Sequence, residues 1–292
     1  MGNAMFMNLM KQAQKLFKHN RQHSHKTRER YSEAYARFLR YLAEEFRLQK
    51  IANVSSKHLV AYVWNMQDDE KAASTIKTDL CGIRFWHDQI PQARYTLPGN
   101  ETLDLERRTF GGKDRAWTQD EYEGLLRLAR LGGWSGYAAC FILAWEIGLR
   151  IHEIFRIDTA TARDAIKRSA ITIKGKGGKV RTIPLSDVAA QVLKECIKAT
   201  PTGHKLFVPA GKQTHVAIKE LQKFIRDHRD AIQRPGREVP LTMHGGRHAY
   251  AARTYQELVD SGVDEDSAKR TVSKRLGHER KDVTDIYLAT RK

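Results

Sequence analysis

The chain has 292 residues, more than one hydrophobic core usually organises, so two domains are expected. With 51 Lys and Arg against 34 Asp and Glu the formal charge is +17, and such a field attracts polyanions, nucleic acid first. Three scattered cysteines without CxxC spacing exclude a disulfide framework and a cysteine zinc site, and no apolar run reaches the roughly 18 to 20 residues of a bilayer span; a reducing, cytosolic setting with no membrane partner is expected.

The first 40 residues hold nine Lys or Arg against only Glu29 and Glu33. Lys11, Lys15, Lys18, Arg21, Lys26 and Arg28 are therefore expected to touch phosphates. From Thr27 the residues Tyr31, Tyr35, Phe38, Leu39, Leu42 and Phe46 recur at three- and four-residue steps, which predicts an amphipathic helix. Ser55 or Ser56 is placed to cap a second helix carrying Leu59, Val60, Val63 and Trp64, and Ser74 a third carrying Ile76, Leu80, Ile83 and Trp86. A helical DNA-binding domain over residues 1–108 follows, with Lys77 and Arg84 as further candidate DNA contacts. Between Pro91 and Arg115 turn residues without sustained periodicity (Pro98-Gly99-Asn100, Gly111-Gly112) read as a linker.

The second domain, residues 109–292, opens with a helix from Thr118 to Leu131, and residues 137–149 are apolar on nearly all faces, as a core helix is. Alternation through Ile171 and Ile173, and again from Val180 to Leu185, flanks Gly175-Lys176-Gly177-Gly178 and predicts a β-hairpin. Helical patterns then return, so the fold class expected is mainly α with a small antiparallel β-sheet.

Four segments hold candidate chemistry: Gly148-Leu149-Arg150-Ile151-His152-Glu153, the hairpin Lys176, His244-Gly245-Gly246-Arg247, and Leu276-Gly277-His278 with Tyr287 nine residues later. Their order and spacing resemble the tyrosine recombinase, or phage integrase, family, whose site runs Arg, a hairpin Lys, His-x-x-Arg, a His or Trp after Leu-Gly, then Tyr. The resemblance covers residues 110–292 in its motifs and, more weakly, the preceding helices, where Ser74-Thr75-Ile76 through Phe85-Trp86 looks like the family's core-binding domain. It implies a helical, SAM-like core-binding domain before a catalytic recombinase domain. It further implies a site-specific recombinase of a phage or bacterial mobile element, acting through a covalent 3′-phosphotyrosine, with inverted half-sites in double-stranded DNA as partner and a homotetramer on that DNA.

The chemistry explains the residue types. In-line attack on a phosphodiester adds charge to oxygens already negative, so fixed cations are needed, and Arg150 and Arg247 offer planar forks to two phosphate oxygens. Lys176 suits a proton donor to the leaving 5′ oxygen, since a lysine among cations can have its pKa lowered toward working pH, so no metal or other cofactor is expected. His244 can accept the tyrosine proton and His278 can hydrogen-bond a non-bridging oxygen; which histidine is the base stays open. Tyr287 is the expected nucleophile, and Glu153 an orienter of Arg150.

Alternatives accompany these assignments. Lys174 or Lys179 could supply the amine in place of Lys176, and Lys174 and Lys179 otherwise count as DNA contacts. His244 and His248, four residues apart, could hold zinc, although the glutamate of His-Glu-x-x-His is absent. Gly245-Gly246 departs from the acidic and apolar pair usual in the family and is expected to loosen the helix start that carries Arg247. The competing functions are a type IB topoisomerase-like enzyme and a DNA-binding protein of this fold without turnover. Only five residues follow Tyr287, too few for the docking strand or helix usual in the family, so the free protein is expected to be mainly monomeric.

Overall fold

Apolar periodicity in the first hundred residues folds into four helices: α1 (Gly2–His19), α2 (His25–Glu45), α3 (Ser56–Asp68) and α4 (Ala73–His87). The computed structural model describes residues 2–106, 113–175, 180–277 and 287. The chain folds as two units, Met1–Thr109 and Phe110–Lys292, each packed on its own core.

In the first unit α2 turns Tyr35, Phe38, Leu39 and Leu42 into a core shared with Leu59, Val63, Leu80, Ile83 and Trp86. Ser24 caps α2 through Thr27, and Ser55 forms a reciprocal cap with His58 at α3. Ser74 does not cap α4: the helix begins at Ala73 after an uncapped Ala72, and the Ser74 carbonyl accepts from Thr78 one turn on. The basic N-terminal stretch is also more than a phosphate-binding arm. It forms α1, which buries Leu9 and Ala13 and tilts Phe17 against Trp86 at 4.5 Å. Lys11, Lys15 and Lys18 line its exposed side, with Arg21 and Lys26 exposed beyond. The stretch read as linker from Pro91 belongs to this unit at least as far as Leu105, because Leu97 and Leu103 are buried in its core and Leu105 packs on it.

The second unit contains α5 (Gln119–Leu131), α6 (Ser135–Ile147), α7 (Ile151–Ile154), α8 (Thr159–Arg168), β1 (Ala170–Lys174), β2 (Val180–Pro184), α9 (Asp187–Lys198), α10 (Thr214–His228), α11 (His244–Asp260) and α12 (Glu265–Leu276). Thr118 and Glu121 form a capping box at α5, and α6 is buried on almost every face, as its unbroken apolar sequence requires. The strands pair antiparallel with Ile171 opposite Ile183 and Ile173 opposite Arg181. Ile171, Ile173 and Ile183 point inward, and the register puts Arg181 on that same face while Val180 is exposed. Among the described residues no helix is long and apolar enough to cross a membrane.

Candidate active site

Gly148 ends α6 in the left-handed conformation, φ 63°, and lets the chain turn so that Arg150 heads α7. A Cβ there would stand 2.3 Å from Cδ1 of Tyr250, so space as well as backbone conformation requires glycine. The Gly148 carbonyl accepts a hydrogen bond from Nη1 of Arg247 at 2.6 Å, and Nη2 of Arg247 donates to the Leu276 carbonyl. With no exposed surface, Arg247 fastens the end of α6 to the end of α12.

The two glycines before Arg247 do not loosen α11. A Cβ on Gly245 would meet Cδ1 of Trp117 at 2.4 Å and the Arg115 carbonyl at 2.6 Å, and one on Gly246 would meet Trp117 Cζ3 at 2.7 Å. Trp117 lies flush against the helix start, its Nε1 donating to the Thr242 carbonyl at 2.8 Å. The glycines permit a close approach that holds Arg247 firm, which corrects the expectation of a slack start.

Arg150 is the more accessible cation, its side chain 27% exposed. Glu153 accepts the Arg150 backbone N–H at 2.8 Å and its Nη1 at 3.2 Å. The stronger partner of Glu153 is Arg181, which donates Nη1 and Nη2 at 2.9 and 2.7 Å and Nε to the Arg275 carbonyl at 2.9 Å. Burial opposes ionisation of Glu153, yet the Arg181 fork and the Arg150 amide hold its carboxyl down at about 2. Three guanidiniums around one carboxylate leave the site with net positive charge, as an anionic phosphoryl group requires.

The Tyr287 hydroxyl lies 3.1 Å from Nε2 of His244, and the Arg247 guanidinium carbon 5.8 Å from the Tyr287 ring centre. Tyr287 is buried, and its ring stacks on that of His248 at 4.1 Å and 19°. Protein atoms around the His244 ring, then the cations of Arg247, Arg150 and Arg115, push it down to about 4. The residue keeps an exposed edge toward solvent, and its imidazole is favoured in the neutral form. Burial and the Arg150 cation lower Arg247 to about 10, still protonated at neutral pH.

A cleft of about 370 Å³ adjoins Arg150 and His244, lined also by His152, Arg226 and Arg229. The structure therefore brings Arg150, Glu153, His244, Arg247 and Tyr287 together. Lys176, Lys179 and His278 lie outside the described residues, and Lys174 is exposed at the end of β1. Arg181, Arg226 and Arg229 join the site without having been singled out by motif or spacing, and His248, weighed by its spacing as a metal ligand, joins it as a ring stacked on Tyr287. Only His248 carries a signal in the sequence, its position one turn after His244, and that signal suits a metal pair as well as a ring stack. Two of the expected DNA contacts also make hydrogen bonds within the protein. Arg84 donates to the Pro98 carbonyl and to Asn100 at 2.7 and 2.8 Å, and Lys77 to the Glu106 carbonyl at 2.6 Å, because both reach back over the segment that follows α4. Arg28 donates to the Asn20 carbonyl at a longer 3.4 Å.

Comparison with known proteins adds independent evidence. A model described as "Phage integrase family" matches residues 116–292, and one described as "Phage integrase, N-terminal SAM-like domain" matches residues 14–88. The chain is 27% identical over 272 residues to tyrosine recombinase XerC of Brucella suis, covering 85% of this chain and 77% of that protein. A lambda integrase dimer bound to a COC′ core site shares the fold with TM-score 0.68 at 16% identity, covering 93% of this chain and 91% of that one. A lambda integrase tetramer bound to a Holliday junction does so with TM-score 0.63 at 15% identity, covering 97% and 77%.

Proposed function

The chain belongs to the phage integrase family of tyrosine recombinases, enzymes that break and rejoin DNA, and from that premise we propose which residues carry the reaction and on what substrate. The observation that carries the reading is the 3.1 Å contact between the Tyr287 hydroxyl and His244 Nε2 beside Arg150 and Arg247. Double-stranded DNA enters at the cationic cleft, and a phosphodiester replaces water next to Arg150, the more open guanidinium. Arg247 acts from inside, holding Gly148 and Leu276 in place while its charge faces the reacting oxygens.

His244, with its own proton on Nδ1, accepts the phenolic proton on Nε2. The Tyr287 oxygen bonds to phosphorus as the bond to the 5′ oxygen breaks, and that oxygen takes a proton from Lys176. The product is a 3′-phosphotyrosine ester and a free 5′ hydroxyl, and the same steps in reverse reseal a strand without ATP. The roles of Lys176 and His278 rest on their places in the sequence pattern. His248 holds the Tyr287 ring by stacking. An incoming phosphate offsets the cations that depress His244, which strengthens the base at the moment it is needed. The substrate is a pair of inverted half-sites of a phage or mobile element, recombined by a homotetramer, and the work is done in the cytoplasm.

A nicked suicide duplex tests the reading on a denaturing gel. The wild-type chain is expected to form an adduct on the 3′ phosphate, and Tyr287→Phe to bind the duplex but form none. An adduct retained by the Phe variant, or one on the 5′ phosphate, overturns the assignment.

A further inference from the structure

We propose that Arg30 and Arg37 of α2, held by the buried Asp79 of α4, form a guanine-reading pair that gives the first unit sequence selectivity; this rests on the DNA reading above. Lys26, Arg30, Glu33 and Arg37 fall on one stripe of α2, spaced at i, i+4, i+7 and i+11, while Ala34, Tyr35, Phe38 and Leu39 face the core. Nη2 of Arg30 donates to Oδ1 of Asp79 at 2.9 Å, and Nη2 of Arg37 to Oδ2 at 2.8 Å. The Asp79 side chain is 3% exposed, but those of Arg30 and Arg37 are 40% and 45% exposed. Gly82, three residues after Asp79, lets α4 approach α2 so closely that a Cβ there would stand 3.0 Å from the backbone of Tyr31, and this closeness puts a short aspartate within reach of both arginines.

A single bidentate arginine would satisfy a buried carboxylate. Here one carboxylate instead grips two guanidiniums by one corner each, and a guanidinium held by a corner still presents an N–H edge. The arrangement fits base edges better than phosphates. Asp79 cancels half the charge of the pair, which weakens attraction to phosphate, and it fixes the planes of the two forks, which phosphate contact does not need. The uncompensated exposed lysines of α1 suit phosphates better. In the major groove, guanine presents O6 and N7 as an acceptor pair that matches a fixed arginine fork, and the groove admits a helix. Arg30 and Arg37 stand two turns apart, about 10 Å along the axis, so the two guanines should lie within a few base pairs of each other.

The test uses the full chain with Tyr287→Phe, so that binding is read without cleavage. A duplex is selected from a random library, and each guanine in it is replaced in turn by 7-deazaguanine, which lacks the N7 acceptor. Replacement at one or two positions should weaken binding about tenfold or more, the usual scale for a lost bidentate contact. Arg30→Ala and Arg37→Ala should each remove the sensitivity at one position, while Asp79→Asn lowers selectivity more than affinity for random duplex. Thermal melting of the two alanine variants, whose side chains are half-exposed, checks that they fold. The pair is overturned if 7-deazaguanine sensitivity persists in both variants. It is equally overturned if the variants lose affinity for all sequences alike, each lowering the log-log salt slope by about 0.9 as a phosphate contact does. A folded chain that retains no duplex overturns the DNA reading itself, and the pair with it.

Discussion

A guanidinium with no exposed surface, such as that of Arg247, differs from one at a cleft wall, such as that of Arg150. Arg150→Lys should retain binding but lose most cleavage, since an ammonium cannot reproduce the fork. Arg247→Lys should also lower stability, because two backbone carbonyls lose their donors. Glu153 makes a pH prediction. Its carboxyl is held at about 2 in the folded protein against an ordinary value of about 4.5, so the unfolded chain binds more protons between these values. The stability it contributes, on the order of 3 kcal/mol, is fully present above about pH 4.5 and lost as pH falls toward 2. Denaturant titrations at several pH values should show this slope in the wild type and a shallower one in Glu153→Gln, which is less stable at pH 7 because Arg181 loses its ionic partner. At Lys176, replacement by Ala should slow cleavage by roughly 10²-fold or more, and a 5′-thio leaving group, which needs no proton, should restore it. Rescue in Lys174→Ala or Lys179→Ala would assign the amine elsewhere.

At the scale of elements, α1 and the start of α11 matter most. Deleting residues 1–25 removes Leu9, Ala13 and Phe17 from the first unit's core, at roughly 1.5 to 3 kcal/mol for each large buried side chain. The truncated chain should therefore lose a cooperative melting transition and become sensitive to protease, beyond any loss of phosphate contacts. A truncation that binds DNA with unchanged selectivity and melts normally would return α1 to the role of a simple basic arm. Gly245→Ala tests the other element. The added methyl group must displace Trp117 or the Arg115 backbone, so a destabilisation of about 1 to 3 kcal/mol is expected, with slower adduct formation because His244 shifts. A variant that cleaves at the wild-type rate would show that Trp117 does not position the base.

For the whole molecule, charge and assembly are the observables. A formal charge of +17 predicts DNA affinity that falls steeply with salt, and light scattering should find tetramers on DNA carrying paired half-sites. Recombinant products from two such duplexes fit the proposed function, whereas supercoil relaxation without strand exchange would identify a topoisomerase-like enzyme.

Local rules make much of this protein legible in its sequence. The periodicity of α2, the capping box at Thr118 and the unbroken apolar run of α6 each depend on neighbours a few residues away, and the spaced Arg, His-x-x-Arg and Tyr motifs name the site. The helix α1 is legible too, in Phe6, Leu9, Ala13 and Phe17, but its lysines mask that pattern behind their charge. What only tertiary structure decided was how these pieces meet. Arg181 is buried on Glu153 because strand register puts it on the inward face, and the glycines before Arg247 are tight because Trp117, some 128 residues earlier, lies on them. Arg84 reaches the Pro98 carbonyl because the chain after α4 folds back over it. Such contacts join residues far apart in the chain, and they depend on packing geometry that residue type and spacing alone do not encode.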